Sequence, residues 1–363
     1  VRSIEDLPTP AVLVDLDVLE RNLARMAERA RAAGVKLRPH AKTHKVVEIG
    51  RMQIAVGAAG ISLAKVGEAE VFAAAGFHDI FLAYPTVGGD RARRLLALAD
   101  RVRLAVGADS VEGASTLSAV FRQARRTLEV LLKVDSGFHR VGVQPGRALE
   151  TARKISELPW LRLRGIFTHA GQAYHAETPA AVAEIGRNEG EILANVAREM
   201  REAGLAIEDV SVGSTPTAAH AMRVDGVTEC RPGNYVYYDA SQVALGSCSP
   251  TECAMTVATT VVSVPAAERA VVDAGSKTLS SDPLRPRAGG HGLVLGTASR
   301  LERLSEEHGV VKVEPGDRFR VGQRVSILPN HACVVSNLHD RVYGVRAGAV
   351  ETEFAVAARG RVD

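Results

Sequence analysis

The chain has 363 residues, of which 46% are hydrophobic and 24% charged, with a formal net charge of +3. That is the balance of a globular protein large enough for one sizeable domain and a smaller one. Acidic and basic residues are interleaved, no basic patch alternates with aromatics, and aromatics are only 4% of the chain. The electrostatic footprint and stacking platforms of a nucleic-acid binder are therefore missing. No apolar run approaches the roughly 20 residues of a membrane span. The first residues lack a signal-peptide pattern, so the cytoplasm is the expected location. Cys230, Cys248, Cys253 and Cys333 have no framework spacing and read as reduced thiols or ligands.

In chain order, short runs rich in branched residues are predicted as strands at 36–42, 60–65, 79–84, 101–107, 128–135, 163–170, 209–215 and 229–238. Between them lie amphipathic stretches such as 109–126 and 180–203, with apolar residues every three or four positions. Eight strand–helix alternations predict an α/β fold, a (β/α)8 barrel of the TIM type over 16–240; a doubly wound open sheet is the alternative. From 241 to 363 the texture changes to strand-like runs at 254–264, 269–273 and 324–327, separated by turn-rich pieces such as Ser281-Asp282-Pro283 and Glu314-Pro315-Gly316-Asp317. This predicts a second, mainly β domain, which residues 1–15, with the strand-like run 11–15, are expected to join.

In such a barrel, functional residues gather at the C-terminal ends of the strands. Lys42 ends the first within Arg38-Pro39-His40-Ala41-Lys42-Thr43-His44-Lys45, Arg140 follows the fifth, and His169 ends the sixth before Ala170-Gly171-Gln172-Ala173-Tyr174. Gly213-Ser214-Thr215-Pro216-Thr217 ends the seventh, and Arg231-Pro232-Gly233-Asn234-Tyr235 falls in the predicted eighth. A lysine among neighbouring positive charges and partly buried favours the neutral, nucleophilic amine suited to Schiff-base chemistry; read alone, it is equally a surface lysine in a basic turn. The Gly-Ser-Thr-Pro-Thr turn offers hydroxyls and exposed N–H groups suited to a phosphate, though such turns commonly only cap a helix. The Gly-Asn-Tyr turn on the adjacent strand strengthens it, since barrels of this class often hold phosphate between their last two loops. Near the C-terminus, His331 and Cys333 stand two apart, a spacing that puts both on one side of an extended strand. Nitrogen plus sulfur favours zinc; the bland alternative is a buried cysteine beside a loop histidine.

Taken together, these motifs resemble the D-serine dehydratase and D-threonine aldolase family, which groups with the alanine-racemase-like pyridoxal-phosphate enzymes. The likeness runs over nearly the whole chain. It includes Thr9-Pro10-Ala11, the Arg-Pro-His-Ala-Lys-Thr-His motif, the Gly-Ser-Thr-Pro-Thr turn, Asp273-Ala274-Gly275-Ser276-Lys277, Ser305-Glu306-Glu307-His308-Gly309 and the His-Ala-Cys pair. The resemblance implies pyridoxal 5'-phosphate on Lys42, Arg140 near its ring, and Ser214, Thr215, Gly233, Asn234 and Tyr235 about its phosphate. It also implies a divalent metal, zinc or manganese, on His331 and Cys333, a small D-amino-acid substrate, and a homodimer. His169 and Tyr174 are the further catalytic candidates.

The family divides between dehydration, in which an α-proton and then water are lost, and retro-aldol cleavage between the α and β carbons. Dehydratase relatives tend to have His-x-Cys where the aldolases have a carboxylate, so Cys333 leans toward dehydration. Gln172 stands where relatives often have histidine and accepts no proton at neutral pH; nearby His175 is a substitute or a solvated loop residue. An amino-acid racemase would need no metal pair, and a non-catalytic pyridoxal-phosphate carrier would need neither the pair nor the β domain.

Overall fold

The computed structural model describes residues 2–284 and 289–363. Eight parallel strands form one sheet: Lys36–Leu37, Ile61–Leu63, Asp79–Pro85, Arg103–Ala108, Leu128–Lys133, Leu161–Phe167, Asp209–Val212 and Glu229–Cys230. Each pairs with its sequence neighbour from the second to the eighth, and the eighth pairs with the first. A parallel bridge between His40 and Ser62, with Ser62 N–H donating to Pro39 O at 2.8 Å, closes the ring. This is the expected (β/α)8 barrel.

The strands alternate between two environments. Outward residues such as Ile80, Leu104, Val130 and Ile166 join the large core beneath the helices. Inward residues Phe81, Ala105, Leu131 and Phe167 form a separate cluster inside the barrel. Each fully buried side chain of this kind is worth about 1.5–3 kcal/mol relative to exposure. Below that cluster the interior is ionic: Arg38 pairs with Asp79 (2.6 Å) and Glu229 (2.7 Å), and Arg164 with Glu129 and Asp209. Gly165 sits where a Cβ would lie 2.2 Å from Asp209 O, so only glycine lets these two strands approach.

The second sheet has ten strands. The strand Ala11–Asp15 is central to it, antiparallel to Met255–Ala266 and parallel to Arg341–Arg346. Asp15 then caps the helix Leu16–Ala32 by accepting from Val18 N–H (2.9 Å), so one residue turns the chain from the β domain into the barrel. Among the described residues no helix is long and apolar enough to cross a membrane.

Three local expectations need correction. The first barrel strand ends at Leu37, and Lys42 lies in a 3-10 turn, Ala41–Thr43. The eighth ends at Cys230, so Arg231–Tyr235 is a loop and not strand; Pro232 has no N–H for a ladder, and Asn234–Val236 is a 3-10 turn. The strand Arg324–Pro329 stops before His331, which is the residue preceding the helix Ala332–Leu338. His331 and Cys333 are therefore brought together by a helix start, not by strand alternation.

Glu229 is fully buried, and its ion-pair partner in the described residues is Arg38. Arg38→Met should cost about 3–5 kcal/mol, because it strands a buried carboxylate. Urea unfolding checks this, and Arg38→Met with Glu229→Met together should recover part of the loss.

Candidate active site

A cavity of about 430 Å³ opens at the C-terminal end of the barrel, between its loops and the helix that begins at Ala332. Lys42, His169, Tyr174, Arg140, Ser214, Thr215, Gly233, Asn234, His331 and Cys333 all line it. The lysine motif divides its labour. Lys45 is buried, with Nζ 3.2 Å from Glu68 and donating to Asn337 Oδ1 at 2.8 Å. His44 is buried too, accepting from Val46 N–H at Nδ1 and donating from Nε2 to Gln53. Those two anchor the turn, which leaves Lys42 and His40 on the cavity wall. Burial, aided by the nearby Arg140 and Arg231 charges, lowers the Lys42 pKa, which favours its nucleophilic form.

His169 donates from Nδ1 to Gly213 O at 2.7 Å. Burial and then the Lys42 and Lys133 charges push its pKa well down, so the ring is neutral and Nε2 keeps its lone pair. Burial raises the Tyr174 pKa and keeps it a phenol. Asp135 Oδ1 accepts from the N–H groups of Gly137, Phe138 and His139, each at 3.0 Å. That turn presents Phe138 to the His169 ring and sets the Arg140 guanidinium 4.8 Å over the Phe138 ring at the rim. Gln172 is not part of the wall; its Nε2 donates to Ser136 O at 2.9 Å. His175 lines the mouth and is exposed.

Two adjacent turns make an anion cradle. A Cβ on Gly213 would lie 2.7 Å from Arg231 N, and one on Gly233 would lie 2.7 Å from Thr43 Oγ1, so backbone faces the cavity at both. Among the described residues the N–H groups of Ser214, Thr215 and Gly233 have no acceptor, and the buried Asn234 Oδ1 and His40 Nδ1 have no partner. Unsatisfied polar groups around a cavity fit a polar, anionic occupant. Tyr235 differs from the expectation. Its ring is fully buried, its hydroxyl accepts from Gln53 at 3.2 Å, and its N–H donates to Thr215 Oγ1 at 3.1 Å. It shapes the cradle from behind.

On the same cavity, His331 donates from Nδ1 to Asp282 Oδ2 at 2.7 Å, which leaves Nε2 as a ligand atom. Cys333 Sγ lies 3.3 Å from Thr43 Oγ1 and 3.7 Å from Asn234 Nδ2. Burial alone would raise the thiol pKa, but His331 and Thr43 outweigh it and lower it, toward the thiolate that binds metal. Among the described residues no cluster of three or more His, Cys, Asp or Glu forms a metal site. The donor set thus suits an open, two-ligand site and not a closed structural one.

Lys133 and Arg231 also line the cavity; Arg231 opens the Arg231–Tyr235 stretch without an assigned role, and Lys133 lies outside every motif. Lys133 follows Leu131 by two on an inward-facing strand register; that alternation was the available signal. Its Nζ lies 4.7 Å over the Phe167 ring, and burial with the Arg231 and Arg140 charges lowers its pKa to about 7.

Residues 14–241 match the family model described as "Alanine racemase, N-terminal domain", and residues 254–345 match "Putative serine dehydratase domain". The chain is 37% identical to the D-threo-3-hydroxyaspartate dehydratase of Delftia sp., over 95% of this chain and 96% of that one. It is 35% identical to the D-threonine aldolase of Arthrobacter sp., over 97% and 93%. Among solved structures, a D-threonine aldolase from Filomicrobium marinum superposes with a TM-score of 0.93, at 33% identity over 100% of this chain and 98% of that one. A D-threo-3-hydroxyaspartate dehydratase has also been solved with alanine in place of a histidine and in place of a cysteine two positions further on; the cysteine variant (TM-score 0.92, 35% identity, 98% and 99% covered) is described as metal-free.

An unfolded lysine titrates at about 10.4, so between pH 7 and that value the native state holds fewer protons at Lys133 than the unfolded chain. Stability then rises with pH across the window, and the cost of charging Lys133 is complete below it. Lys133→Met should therefore raise the urea midpoint most near neutral pH and lose that advantage as pH climbs toward about 10.4; a difference that does not vary with pH contradicts the assignment.

Proposed function

The chain belongs to the D-serine dehydratase and D-threonine aldolase family of alanine-racemase-like enzymes, and from that membership we propose a metal-assisted lyase of D-3-hydroxy amino acids, carrying pyridoxal 5'-phosphate on Lys42 and favouring dehydration over retro-aldol cleavage. The observation that carries this reading is the convergence on one cavity of the Lys42 amine, the anion cradle and the His331–Cys333 pair. In this reading residues 16–240 hold the cofactor, and residues 241–363 with 1–15 bring the metal pair.

Ser214, Thr215, Gly233 and Asn234 would hold the phosphate, with Tyr235 supporting Thr215. Lys42 would bind the aldehyde carbon and Arg140 would lie beside the ring. His331 Nε2 and Cys333 Sγ would hold the divalent ion, zinc or manganese. When bound, the cofactor supplies an electron sink for the α-carbon and the ion a Lewis acid for the substrate hydroxyl.

The chain's own groups do the proton work. The Lys42 amine and the bare Nε2 of His169 are basic atoms of the wall suited to accept the α-proton. Tyr174, held as a phenol, can only donate to or orient an oxygen. The cavity is walled by Phe138 and Phe167 as well as by polar groups, which limits water around the reacting centre. Dehydration is favoured because Cys333 would be the second metal ligand, two positions after His331, the spacing of the histidine and cysteine replaced in the solved D-threo-3-hydroxyaspartate dehydratase variants. Retro-aldol cleavage is the second reading, supported by the aldolase relatives and by His175 at the mouth.

Incubation of the purified protein with D-threonine and with D-threo-3-hydroxyaspartate should yield a 2-oxo acid and ammonia, lost on chelation and restored by zinc or manganese. Glycine and an aldehyde would establish the aldolase; an L-isomer formed without regard to chelator would make it a racemase. Lys42→Ala should abolish turnover and the long-wavelength absorbance of lysine-bound cofactor. Cys333→Ala should lower the bound metal, read by elemental analysis, and reduce kcat/KM at least about 100-fold while that absorbance persists.

A further inference from the structure

Behind the anion cradle lies a hydrogen-bond chain that ends in the cavity. Glu189, on the helix Pro179–Glu202, is fully buried. Its Oε1 accepts from Ala170 N–H (3.1 Å) and Gly213 N–H (3.0 Å), the loop positions flanking and receiving His169. Its Oε2 lies 2.8 Å from Thr217 Oγ1, and Thr217 Oγ1 lies 2.8 Å from Ser214 Oγ. Ser214 lines the cavity; Glu189 and Thr217 do not. Thr217 is the hydrogen-bond partner of the Ser214 hydroxyl among the described residues.

We propose that Glu189 is a positioning residue whose protonation state sets the direction of this chain, so that the protonated carboxyl turns the Ser214 hydroxyl toward the phosphate of the cofactor. The inference rests on the pyridoxal-phosphate reading above.

The counting of hydrogens is strict. An ionised carboxylate only accepts, and each hydroxyl has one hydrogen. With Glu189 ionised, Thr217 must donate to Oε2, and the 2.8 Å contact to Ser214 is then filled by the Ser214 proton. Ser214 would present only lone pairs to the cavity, against the oxygens of a phosphate. With Glu189 protonated at Oε2, the order reverses: Glu189 donates to Thr217, Thr217 to Ser214, and Ser214 to the anion. The two backbone bonds at Oε1 are kept in both states. Among the described residues Glu189 has no salt bridge within 4 Å. The charged and titratable groups that face it are Arg231 and Cys230 from the eighth strand end, Lys133 from the fifth, and His169 beside Ala170. Burial raises its pKa against the opposing pull of those hydrogen bonds and of Arg231, which is the direction the chain requires.

Glu189→Gln tests this, because Oε1 still accepts both N–H groups and Nε2 donates permanently toward Thr217. The full-length protein is titrated from pH 6 to 9 with pyridoxal phosphate and with pyridoxal, following Lys42-dependent absorbance. The ratio of the two affinities isolates the phosphate, and comparing variants cancels the phosphate's own ionisation near pH 6. In the wild type the ratio should fall by up to tenfold per pH unit above the Glu189 titration, whereas in Glu189→Gln it should fall less and equal or exceed the wild-type value at pH 9. Ser214→Ala should lower the ratio and erase the difference between Glu and Gln at position 189. Equal pH dependence in the wild type and Glu189→Gln overturns the proposal, as does a Gln variant whose ratio is at least tenfold below wild type at pH 9. If neither ligand gives Lys42-dependent absorbance, the cofactor reading itself fails, a result distinct from both.

Discussion

The barrel depends on a belt of charge in its interior. Arg38 on the first strand's extension reaches Asp79 on the third and Glu229 on the eighth, while Arg164 on the sixth reaches Glu129 on the fifth and Asp209 on the seventh. Arg38, Arg164, Asp209 and Glu229 are nearly or fully buried. Removing one member leaves its partner as an uncompensated charge, so the belt tolerates little change in strand register. A slip by one residue would turn these groups toward the helices and the apolar residues toward the interior. The belt therefore fixes which strand residues face inward, and that alternation carries upward through Phe81, Leu131 and Phe167 to Lys133 and His169 at the cavity.

At the cavity the same inward register produces a different electrostatic regime. Lys42, Lys133, Arg140 and Arg231 share the cavity with His40 and His169, and among the described residues no acidic side chain lines it. Burial and mutual repulsion lower the pKa values of both lysines and both histidines. The neutral forms of these bases are thereby favoured beside guanidinium groups that remain charged. An anionic ligand would be attracted without the amines being locked as ammonium ions. The basal belt is neutralised by pairing, whereas the wall is left for ligands to neutralise.

The sequence disclosed the elements whose chemistry is local. The lysine motif, the Gly-Ser-Thr-Pro-Thr turn and the His-x-Cys pair are contiguous stretches, and each lies on the cavity. It disclosed less where long-range contact decides. The predicted eighth strand, 229–238, runs across Arg231–Tyr235, but Pro232 lacks the ladder N–H and its carbonyl instead accepts from His40. Tyr235 belongs to the motif but turns its ring away to Gln53, 182 positions distant. Gln172 stands beside a catalytic candidate in sequence, yet its amide is spent on Ser136. Lys133 and Glu189 lie outside any motif, and only the closed barrel makes one a wall residue and the other its support.

The two halves of the site are joined through one carboxylate. Asp239 is buried; Oδ2 accepts from Asn234 Nδ2 (2.6 Å) and from Ala332 N–H (3.0 Å), and Oδ1 accepts from Gln242 N–H (3.0 Å). Asn234 belongs to the anion cradle, and Ala332 stands between His331 and Cys333 in the first turn of its helix. A buried carboxylate holding donors from both sides ties the cradle's position to that of the His–Cys pair, since moving either would leave polar groups unsatisfied at a cost of about 1–3 kcal/mol each. Lys45, bonded to Asn337 on the same helix, repeats the link from the lysine turn. The chemistry proposed for this cavity needs a fixed distance between an electron sink and a hydroxyl-binding ion, and these two cross-links are how a barrel and a separate sheet hold one.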